Sequence, residues 1–396
     1  MHPKIYLKSS AKNNISKMQH PWIFSHQIID RDLPASEIHG KVVSVFCRDE
    51  FLCHAYYNSK TQIALRILSR NTEDAIDLKF FRERIRKAAE LRNKYVLSAD
   101  TTACRLIYGE SDGLPGFIVD KYNDSLILQV TTAGAENLKP IFLEALIDVV
   151  KPKMVYEKSP GQNRVIEGLK DKGAELIFGE FREEELINEN GIKYYVNFIT
   201  GQKTGFYLDQ RMNRLRTREY IKNKRVLNLF SYTGGFSVSS IFGGADYVHS
   251  VDSSSSAIEI SKRNFEINKI REDMHEETCV DVFRFLGEMK PGSYDVIILD
   301  PPAFVKSNKH LKNGIKGYIT LNSIAFKKVP IGGLLLTSSC SGAVNQEIFS
   351  KIINWASIDS GCGVQILEKH SHAPDHPVIP NFPESEYLKF FICIKK

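Results

Sequence analysis

Hydrophobic and polar positions follow different patterns in successive parts of the 396-residue chain. Over residues 40–70, short β-branched and aromatic runs separated by polar breaks are typical of a small all-β domain. Over 74–96, apolar side chains recur every three to four positions, which predicts an amphipathic helix. Turn signals at 112–116 and 123–124 then separate β-rich segments and predict a hairpin or meander.

The second half of the chain changes to an alternation of strands and helices. Before it, the pattern predicts a helix over 135–150, a strand over 154–157 and a hairpin turning at 189–191. The strands predicted after that hairpin read RVLNLF, YVHSVD, residues 278–280, YDVIILD and GGLLLTSSC, with helical segments between them. Regular alternation of this kind predicts a parallel, doubly wound sheet.

Length and composition fit three domains. We expect an all-β domain over 1–72, a mixed α+β domain over 73–190 and a Rossmann-like α/β domain over 191–396. A hydrophobic content of 42% with 25% charged residues is ordinary for a soluble globular protein. The polar, basic N-terminus lacks the apolar run of a secretory signal, and no stretch is long enough for a membrane helix. The sequence therefore predicts a cytoplasmic protein without a membrane partner.

Cysteine usage and charge narrow the chemistry further. The seven cysteines are scattered, without a CxxC pair or a Cys/His cluster at zinc spacing, so we expect reduced thiols and no metal. Six of them are interpreted as small core residues: Cys47, Cys53, Cys104, Cys279, Cys362 and Cys393. The net charge of +6 permits a polyanionic partner without requiring one.

Two adjacent glycines stand between the first strand and first helix of the doubly wound domain, in VLNLFSYTGGFSVSS. Ligands of such sheets bind beyond the carboxyl ends of the strands, and glycine lets the backbone approach them closely. Neither GxGxxG nor a Walker lysine is present, which argues against a phosphate cradle. The cofactor-binding residues predicted here are Phe230, Ser231, Tyr232, Thr233, Gly234 and Gly235.

Acidic residues follow the next three strands. The pairs predicted to bind the cofactor are Asp252 and Ser253, Asp281 and Val282, and Asp300 and Pro301. Asp252 lies 18 residues after Gly234, close to the offset of about 20 at which an acidic residue binds ribose hydroxyls. An adenosine cofactor without phosphates fits, and S-adenosyl-L-methionine is the candidate. A helix N-cap or a turn explains any one of these aspartates equally well.

Several motifs together resemble one family. They read NLFSYTGGFS, SVD, DVF, LDPPAF, TSSCSG, KTGFYLDQR, HPWIFS, GESDGLPGFIVD and DHPV. Over nearly its whole length, the chain resembles the bacterial large-subunit (23S) rRNA cytosine-5 methyltransferases with an N-terminal PUA domain and a class I methyltransferase domain. KTGFYLDQR and SYTGGFS are specific to that family, whereas DPP is shared with many amino-group methyltransferases.

The resemblance implies roles for individual residues. Residues 203–211 would hold the methionine part of the cofactor, with Gln210 and Arg211 as the main contacts. Asp252 would bind the ribose and Asp281 the adenine amino group. The implied partner is structured RNA, most simply 23S rRNA, bound in part by a PUA-like domain. The chain departs from some relatives at Ala303, where they carry lysine.

Cys340 is the predicted nucleophile. Carbon 5 of a pyrimidine is a poor nucleophile, so a thiolate must first add to carbon 6, and this requires an accessible cysteine. Its place at a strand end, its serine and glycine neighbours and the resemblance favour Cys340. Asp300 is assigned orientation of the cytosine amino edge or proton transfer. Glu384 and His376 are second-line candidates for the base that removes the carbon 5 proton, although a turn carboxylate and a surface histidine explain these two as well.

Three functions stay open on the sequence. The first is cytosine-5 methylation of an unstacked base. The second is methylation of an exocyclic nitrogen gripped by DPPAF with Cys340 inert, against which TSSCSG argues. The third is a non-catalytic RNA-binding protein, against which the intact glycine turn and Asp252 argue. The sequence is compatible with a homodimer.

Overall fold

The chain forms two compact units, seen in a computed structural model that describes residues 2–11, 15, 20–29, 36–305 and 310–396. Unit 1 comprises Met1–Glu185, Gln202–Phe206 and Pro374–Ser385. Unit 2 comprises Leu186–Gly201, Tyr207–Ala373 and Glu386–Lys396. Within the described ranges, no helix combines the length and the apolar character needed to cross a membrane.

Unit 1 contains a small five-stranded sheet in the order β1-β3-β4-β5-β2. Its strands are β1 (Lys4–Tyr6), β2 (Trp22–Phe24), β3 (Val42–Cys47), β4 (Glu50–Tyr57) and β5 (Ile63–Ser69). Alternate side chains of β3 are buried, among them Val43 and Val45, and they share a core with Ile5 and Leu65. The predicted all-β character of residues 40–70 is confirmed, and β1 and β2 add earlier residues to the same sheet.

A second sheet of unit 1 has the order β10-β9-β8-β7-β6 and packs against two helices. Its strands are β6 (Ala103–Tyr108), β7 (Phe117–Tyr122), β8 (Ser125–Val130), β9 (Met154–Glu157) and β10 (Glu175–Gly179). The helices of this region are α1 (Leu78–Tyr95), α2 (Ala133–Val150) and the short α3 (Gln162–Ile166). Asp77 and Thr132 cap α1 and α2 by accepting backbone N–H groups, so both predicted helices are confirmed. The predicted meander is β6-β7-β8.

A buried arginine connects α1 to a distant loop of unit 1. Arg92 is fully buried, although arginine side chains on a helix are mostly exposed. Its guanidinium donates two hydrogen bonds to the Asp112 carboxylate, at 2.6 and 2.8 Å, and one to the Asp375 carbonyl oxygen at 2.9 Å. A bidentate pair of this kind compensates the burial of the charge. Arg92 therefore holds the segment Pro374–Ser385 against α1.

Unit 2 is built on a seven-stranded sheet in the order β15-β14-β13-β16-β17-β19-β18. Its strands are β13 (Arg225–Leu229), β14 (Tyr247–Asp252), β15 (His275–Cys279), β16 (Val296–Leu299), β17 (Leu334–Ser339), β18 (Val364–His370) and β19 (Lys389–Lys395). Its helices are α4 (Arg211–Thr217), α5 (Gly235–Phe242), α6 (Ser255–Ile267), α7 (Val282–Glu288), α8 (Leu311–Lys328) and α9 (Gln346–Ser360). The hairpin of β11 (Glu184–Glu189) and β12 (Ile192–Asn197) turns at Asn190 and Gly191, as predicted.

The first five strands of this sheet are parallel and confirm the doubly wound prediction, but the last two are antiparallel. β19 pairs antiparallel with β17 and with β18. The connection from β18 to β19 contains a 3-10 turn at Pro383–Ser385 but no α-helix, and the chain re-enters the sheet from the opposite end. The alternating exposure of β18 fits an edge strand, whereas β19 is largely buried next to β17. This arrangement brings the start of β19 to the end of β17.

One face of the sheet of unit 2 packs against α9, which offers a matched pair of isoleucines. Ile352 is fully buried and Ile358 is 71% exposed. We expect Ile352→Ala to lower the free energy of unfolding by roughly 2–5 kcal/mol because it leaves a cavity in the core. Ile358→Ala should change it by less than about 0.5 kcal/mol. Urea unfolding of both variants checks the assignment, and equal effects would contradict the packing of α9.

Candidate active site

A tight turn at the carboxyl end of β13 leads into α5. Phe230, Tyr232 and Gly234 have left-handed backbone angles, with φ of 57°, 48° and 76°. A Cβ added at Gly234 would lie 2.3 Å from Ser261 Oγ, so a side chain there would collide with α6. Because glycine alone adopts this conformation freely, the turn requires glycine at 234, and Gly235 then begins the helix.

Two hydroxyl groups are buried in this turn and bond to no residue that the structure describes. Backbone bonds close the turn, from Gly234 N–H to the Ser231 carbonyl oxygen at 2.9 Å and from Ser231 N–H to the Val251 carbonyl oxygen at 3.1 Å. Among the residues that the structure describes, neither Ser231 Oγ nor Thr233 Oγ1 has a hydrogen-bond partner. A buried hydroxyl without a partner costs roughly 1–3 kcal/mol, and a polar ligand in the turn would remove that cost.

Asp252 holds the turn from the neighbouring strand. Its Oδ2 accepts the Tyr232 N–H and its Oδ1 accepts the Ser254 N–H, both at 2.9 Å. These bonds fix the orientation of a half-buried carboxylate, and each oxygen keeps acceptor capacity for ribose hydroxyls. The neighbouring Ser253 is exposed. The geometry of Asp252 suits the ribose role that the sequence predicts for it.

Asp281 has a local structural partner. Its carboxylate caps α7 by accepting the Arg284 N–H at 2.9 Å, and the side chain is exposed. The following Val282 is buried at 3% exposure. The helix-cap interpretation of Asp281 is thus correct, while its contact with the adenine amino group stays a prediction.

An apolar cavity lies next to the turn that follows β16. It has a volume of about 430 Å³ and is lined by Phe283, Phe304, His310, Asn313, Gly314 and Gly317. The Phe283 ring lies 6.2 Å from Phe230 and 6.3 Å from Phe304, measured between ring centroids. A Cβ added at Gly317 would lie 3.2 Å from the Phe304 ring, so glycine at this position gives the ring room. Aromatic walls of this kind suit a planar ring.

Asp300 follows β16 and is held by two side chains. Its Oδ1 accepts a hydrogen bond from Gln210 Nε2 at 2.9 Å and another from the Ser338 hydroxyl. Gln210 is itself oriented by Asn213, whose amide donates to Gln210 Oε1 at 2.6 Å. Burial raises the pKa of Asp300 to about 6, with the Asp209 charge adding to the rise and the two hydrogen bonds opposing it. This carboxyl group therefore titrates near neutral pH.

Cys340 is half-buried in the loop directly after β17. The loop is tied to the turn after β16 through Ser341, whose Oγ accepts the Val305 N–H at 3.2 Å and lies 3.0 Å from the Tyr318 hydroxyl. Ser338, two residues before Cys340, donates its hydroxyl to Asp300 and so ties the end of β17 to this carboxylate. Burial raises the pKa of Tyr207 well above its usual range, and the next contributions come from the charges of Asp300, Tyr232 and Cys340.

The other two predicted catalytic residues belong to unit 1. Glu384 pairs with His20, at 3.3 Å between Oε2 and Nε2, and its side chain is 45% exposed. His376 is 2% exposed and lies against Asp375 and Tyr108, so its interpretation as a surface histidine is wrong. Its burial follows from the attachment of this loop to α1. The role of either residue as a base stays a prediction.

Two further sequence predictions can be located. Arg211 is buried at the start of α4, at 2% exposure. Among the cysteines taken as core residues, four are buried and Cys362 is half-buried, but Cys279 is exposed. Its core assignment is wrong because β15 is the edge strand of the sheet and Cys279 is its last residue.

Comparisons with known proteins show the family of the chain. The family model described as S-adenosylmethionine-dependent methyltransferase matches residues 146–379, and the model of a PUA-like domain matches 5–70. The first match covers the turn at residues 230–235 and most of the seven-stranded sheet, so this part of the chain is a methyltransferase domain. The unpartnered hydroxyls of Ser231 and Thr233 and the acceptors of Asp252 fit its cofactor, S-adenosyl-L-methionine.

The similarity extends over nearly the whole chain. The ribosomal RNA large subunit methyltransferase I of Aliivibrio fischeri is 39% identical over 99% of this chain and 99% of its own. The protein of the same name from Escherichia coli O139:H28 is 39% identical over 95% of each. A crystal structure described as a methyltransferase complexed with SAH covers 100% of both chains, with a TM-score of 0.85 and 26% identity. The chain therefore belongs to the same family of S-adenosylmethionine-dependent methyltransferases as these proteins.

Three residues of the site were not found by sequence reasoning. Tyr207 lies within the predicted cofactor segment 203–211, but the resemblance singles out only Gln210 and Arg211, and nothing in the motif marks this phenol as different from a packing residue. Ser338 and Ser341 flank Cys340 and were interpreted only as its neighbours. Both serines organise the site, since one bonds Asp300 and the other bonds the turn after β16.

The Thr233 hydroxyl can be removed without loss of a hydrogen bond to any described residue. Thr233→Val removes a hydroxyl that has no partner among the described residues, so we expect the unfolding free energy of the cofactor-free protein to stay the same or rise. Affinity for S-adenosyl-L-methionine should fall about tenfold, because a hydrogen bond to the ligand is lost. Denaturant unfolding and titration calorimetry measure the two quantities.

The matched control is Thr217→Val. The Thr217 hydroxyl is equally buried but donates to the Asn213 carbonyl oxygen at 2.8 Å. This variant should lower stability and leave the affinity for the cofactor unchanged. A Thr233→Val protein that binds the cofactor normally would contradict the assignment of Thr233 to the cofactor site.

Proposed function

We propose that the chain methylates carbon 5 of a cytosine in large-subunit ribosomal RNA through a covalent adduct with Cys340. The observation that carries the proposal is the position of a half-buried thiol directly after β17, two residues from Ser338, whose hydroxyl bonds Asp300. The names of the relatives with 39% identity support ribosomal RNA as the substrate. A methyltransferase acting on an amino group would have no need of a thiol at this place.

In this proposal Cys340 makes the target carbon reactive. The Cys340 thiolate forms a bond to carbon 6 of the cytosine, and the electron pair of the ring double bond moves toward carbon 5. When bound, S-adenosyl-L-methionine supplies the electrophilic methyl group. A base then removes the carbon 5 proton, and the carbon–sulfur bond breaks to return the thiolate. Glu384 and His376 stay candidates for this base.

Asp300 orients the cytosine. As a carboxylate it accepts a hydrogen bond from the exocyclic amino group. Gln210 and Ser338 fix its orientation by donating hydrogen bonds to its Oδ1. Its pKa of about 6 also suits proton transfer during the reaction. The chain thus uses a carboxylate for the amino edge and a thiol for carbon 6.

The cofactor is held at the carboxyl edge of the same sheet. Phe230, Ser231, Tyr232, Thr233, Gly234 and Gly235 form its turn, Asp252 and Ser253 the ribose side, Asp281 and Val282 the adenine side, and Gln210, Arg211, Asp300 and Pro301 the methionine side. Within this set, Asp252 carries the best-defined geometry, because two backbone N–H groups fix its carboxylate. The buried hydroxyls of Ser231 and Thr233 supply further contacts.

RNA recognition is assigned to the PUA-like domain and to the positive charge of the chain. The matched PUA-like region at residues 5–70 and the net charge of +6 support a structured RNA partner. The target base must leave its stack to reach Cys340. A ribosomal RNA substrate would place the protein in the cytoplasm, and the homodimer stays a prediction.

Covalent trapping tests the nucleophile. We expect 23S rRNA transcribed with 5-fluorocytidine to form a covalent adduct with the protein when S-adenosyl-L-methionine is present. Carbon 5 then carries fluorine in place of the proton that a base must remove, so the carbon–sulfur bond cannot break. Cys340→Ala should abolish the adduct, seen as a shifted band on a denaturing gel. Cys362→Ala is the control, since it removes a half-buried thiol in the segment between α9 and β18 and should leave the adduct intact.

Other outcomes would point to the other two functions. A Cys340→Ala protein that methylates at the rate of the wild type would favour exocyclic nitrogen as the target. A folded protein that binds no S-adenosyl-L-methionine in a calorimeter would favour a non-catalytic RNA-binding role.

The pKa of Asp300 predicts an acidic limb in the activity profile. Because the carboxylate form accepts the cytosine amino group and its pKa is raised to about 6, kcat/KM should fall as the pH drops below about 6. Asp300→Asn should lower kcat/KM about a hundredfold or more and remove this limb. Asp295→Asn is the control: Asp295 precedes β16 at its opposite end, bonds the Arg225 N–H, and should keep the limb. An unchanged limb in Asp300→Asn would assign it to another group.

A further inference from the structure

A buried lysine stands beside the loop that carries Cys340. Lys389 is the first residue of β19 and pairs with Ser339, the last residue of β17, in the antiparallel register. Its exposure is 2%. Because Cys340 follows Ser339 directly, the register places Lys389 at the base of the nucleophile loop.

The ammonium group of Lys389 bonds to this loop. Its Nζ donates to the Ser341 carbonyl oxygen at 2.7 Å and to the Tyr387 carbonyl oxygen at 2.6 Å. Within the described ranges these two carbonyl groups are its hydrogen-bond partners, and neither carries a formal charge. A lysine ammonium has three N–H donors, so one is left after these bonds. A buried cation without an anionic bonding partner is costly, which argues for a function.

The charge of Cys340 acts on the pKa of three side chains in the described part of the chain. They are Tyr207 before α4, Tyr318 on α8 and Lys389 on β19. Burial raises the pKa of both tyrosines, so both are neutral at pH 7. Burial lowers the pKa of Lys389 to about 8, while Cys340 and Glu386 favour its charged form. At neutral pH, Lys389 is therefore the cation of this set.

We propose that Lys389 is the positioning residue of the nucleophile, holding the Cys340 loop through the Ser341 carbonyl and stabilising the Cys340 thiolate with its positive charge. No bond is made or broken at Lys389. The inference rests on the proposed role of Cys340 as nucleophile and names the group that prepares it. Thiolates beside a cation form at lower pH and react faster at neutral pH.

The reactivity of Cys340 toward iodoacetamide tests the charge. The rate of alkylation is followed between pH 5 and pH 10 by mass spectrometry of the Cys340 peptide, which separates it from the other six thiols. In Lys389→Met the pH of half-maximal rate should rise by about one unit, a roughly tenfold slower alkylation at pH 7. Lys395→Met, on the same strand and bonded to the Val329 carbonyl oxygen at 2.7 Å, should behave as the wild type. Equal profiles for all three proteins would overturn the proposal.

The same coupling can be measured from the lysine, which covers the case that Lys389→Met does not fold. The pH titration of the ¹³Cε resonance of Lys389 is compared between the wild type and Cys340→Ser. Loss of the thiolate should move the Lys389 midpoint to lower pH, because an anion that favours the ammonium form is removed. Coincident midpoints would overturn the proposal.

Methylation assays separate this inference from the proposed function. If Lys389 prepares the nucleophile, Lys389→Met lowers kcat about tenfold at pH 7 and recovers toward the wild type as the pH rises. A purely structural role would lower kcat equally at every pH and would overturn the proposal. If the Cys340→Ala protein still methylates RNA, the cysteine mechanism is wrong. This outcome is independent of the alkylation rates measured on proteins that keep Cys340.

Discussion

The hydrogen-bonded register of three adjacent parallel strands determines the active site of this methyltransferase. Leu229 of β13 pairs with Leu299 of β16, and Leu299 pairs with Thr337 of β17. β13 and β16 therefore end level with each other, and β17 continues for two residues to Ser339. The predicted site residues Phe230, Asp300 and Cys340 directly follow these three strand ends. A shift of one residue in any pair would turn side chains to the opposite face and separate Asp300 from Ser338. Because the strands are buried on both faces, such a shift would also disrupt the packing on both sides of the sheet.

The antiparallel strand β19 adds a second constraint to this register. Parallel strands bring only carboxyl ends to the active edge, whereas β19 enters from that edge and contributes its amino end. It can thus place a charged side chain at the site while its remaining residues fill the core. Phe390 and Ile392 of β19 pack in the same core as Val226 of β13. One strand accordingly serves both packing and electrostatics.

Much of this architecture follows from the sequence, and the part that does not has a physical reason. Gly234 and Asp252 can be placed because a turn with a left-handed residue and an acidic residue one strand later are local features with fixed spacing. Lys389 cannot, since a lysine beginning an apolar run gives no sign of burial, and its neighbour Ser339 lies 50 residues earlier. The burial of His376 likewise depends on Arg92, far away in sequence. Contacts between distant segments carry no periodic signal.

The bond between Arg92 and Asp375 also bears on how the protein can be divided. The chain passes between the two units at 185/186, 201/202, 206/207, 373/374 and 385/386, so neither unit is one continuous segment. If the chain were divided before residue 186, Pro374–Ser385 would belong to the C-terminal fragment. The N-terminal fragment would keep the Arg92 guanidinium and the Arg105 N–H, and each would lose Asp375 as an acceptor. Losing partners for buried donors is strongly unfavourable. Expression boundaries for this chain therefore have to respect an interleaved connectivity, and circular permutation would preserve it better than truncation.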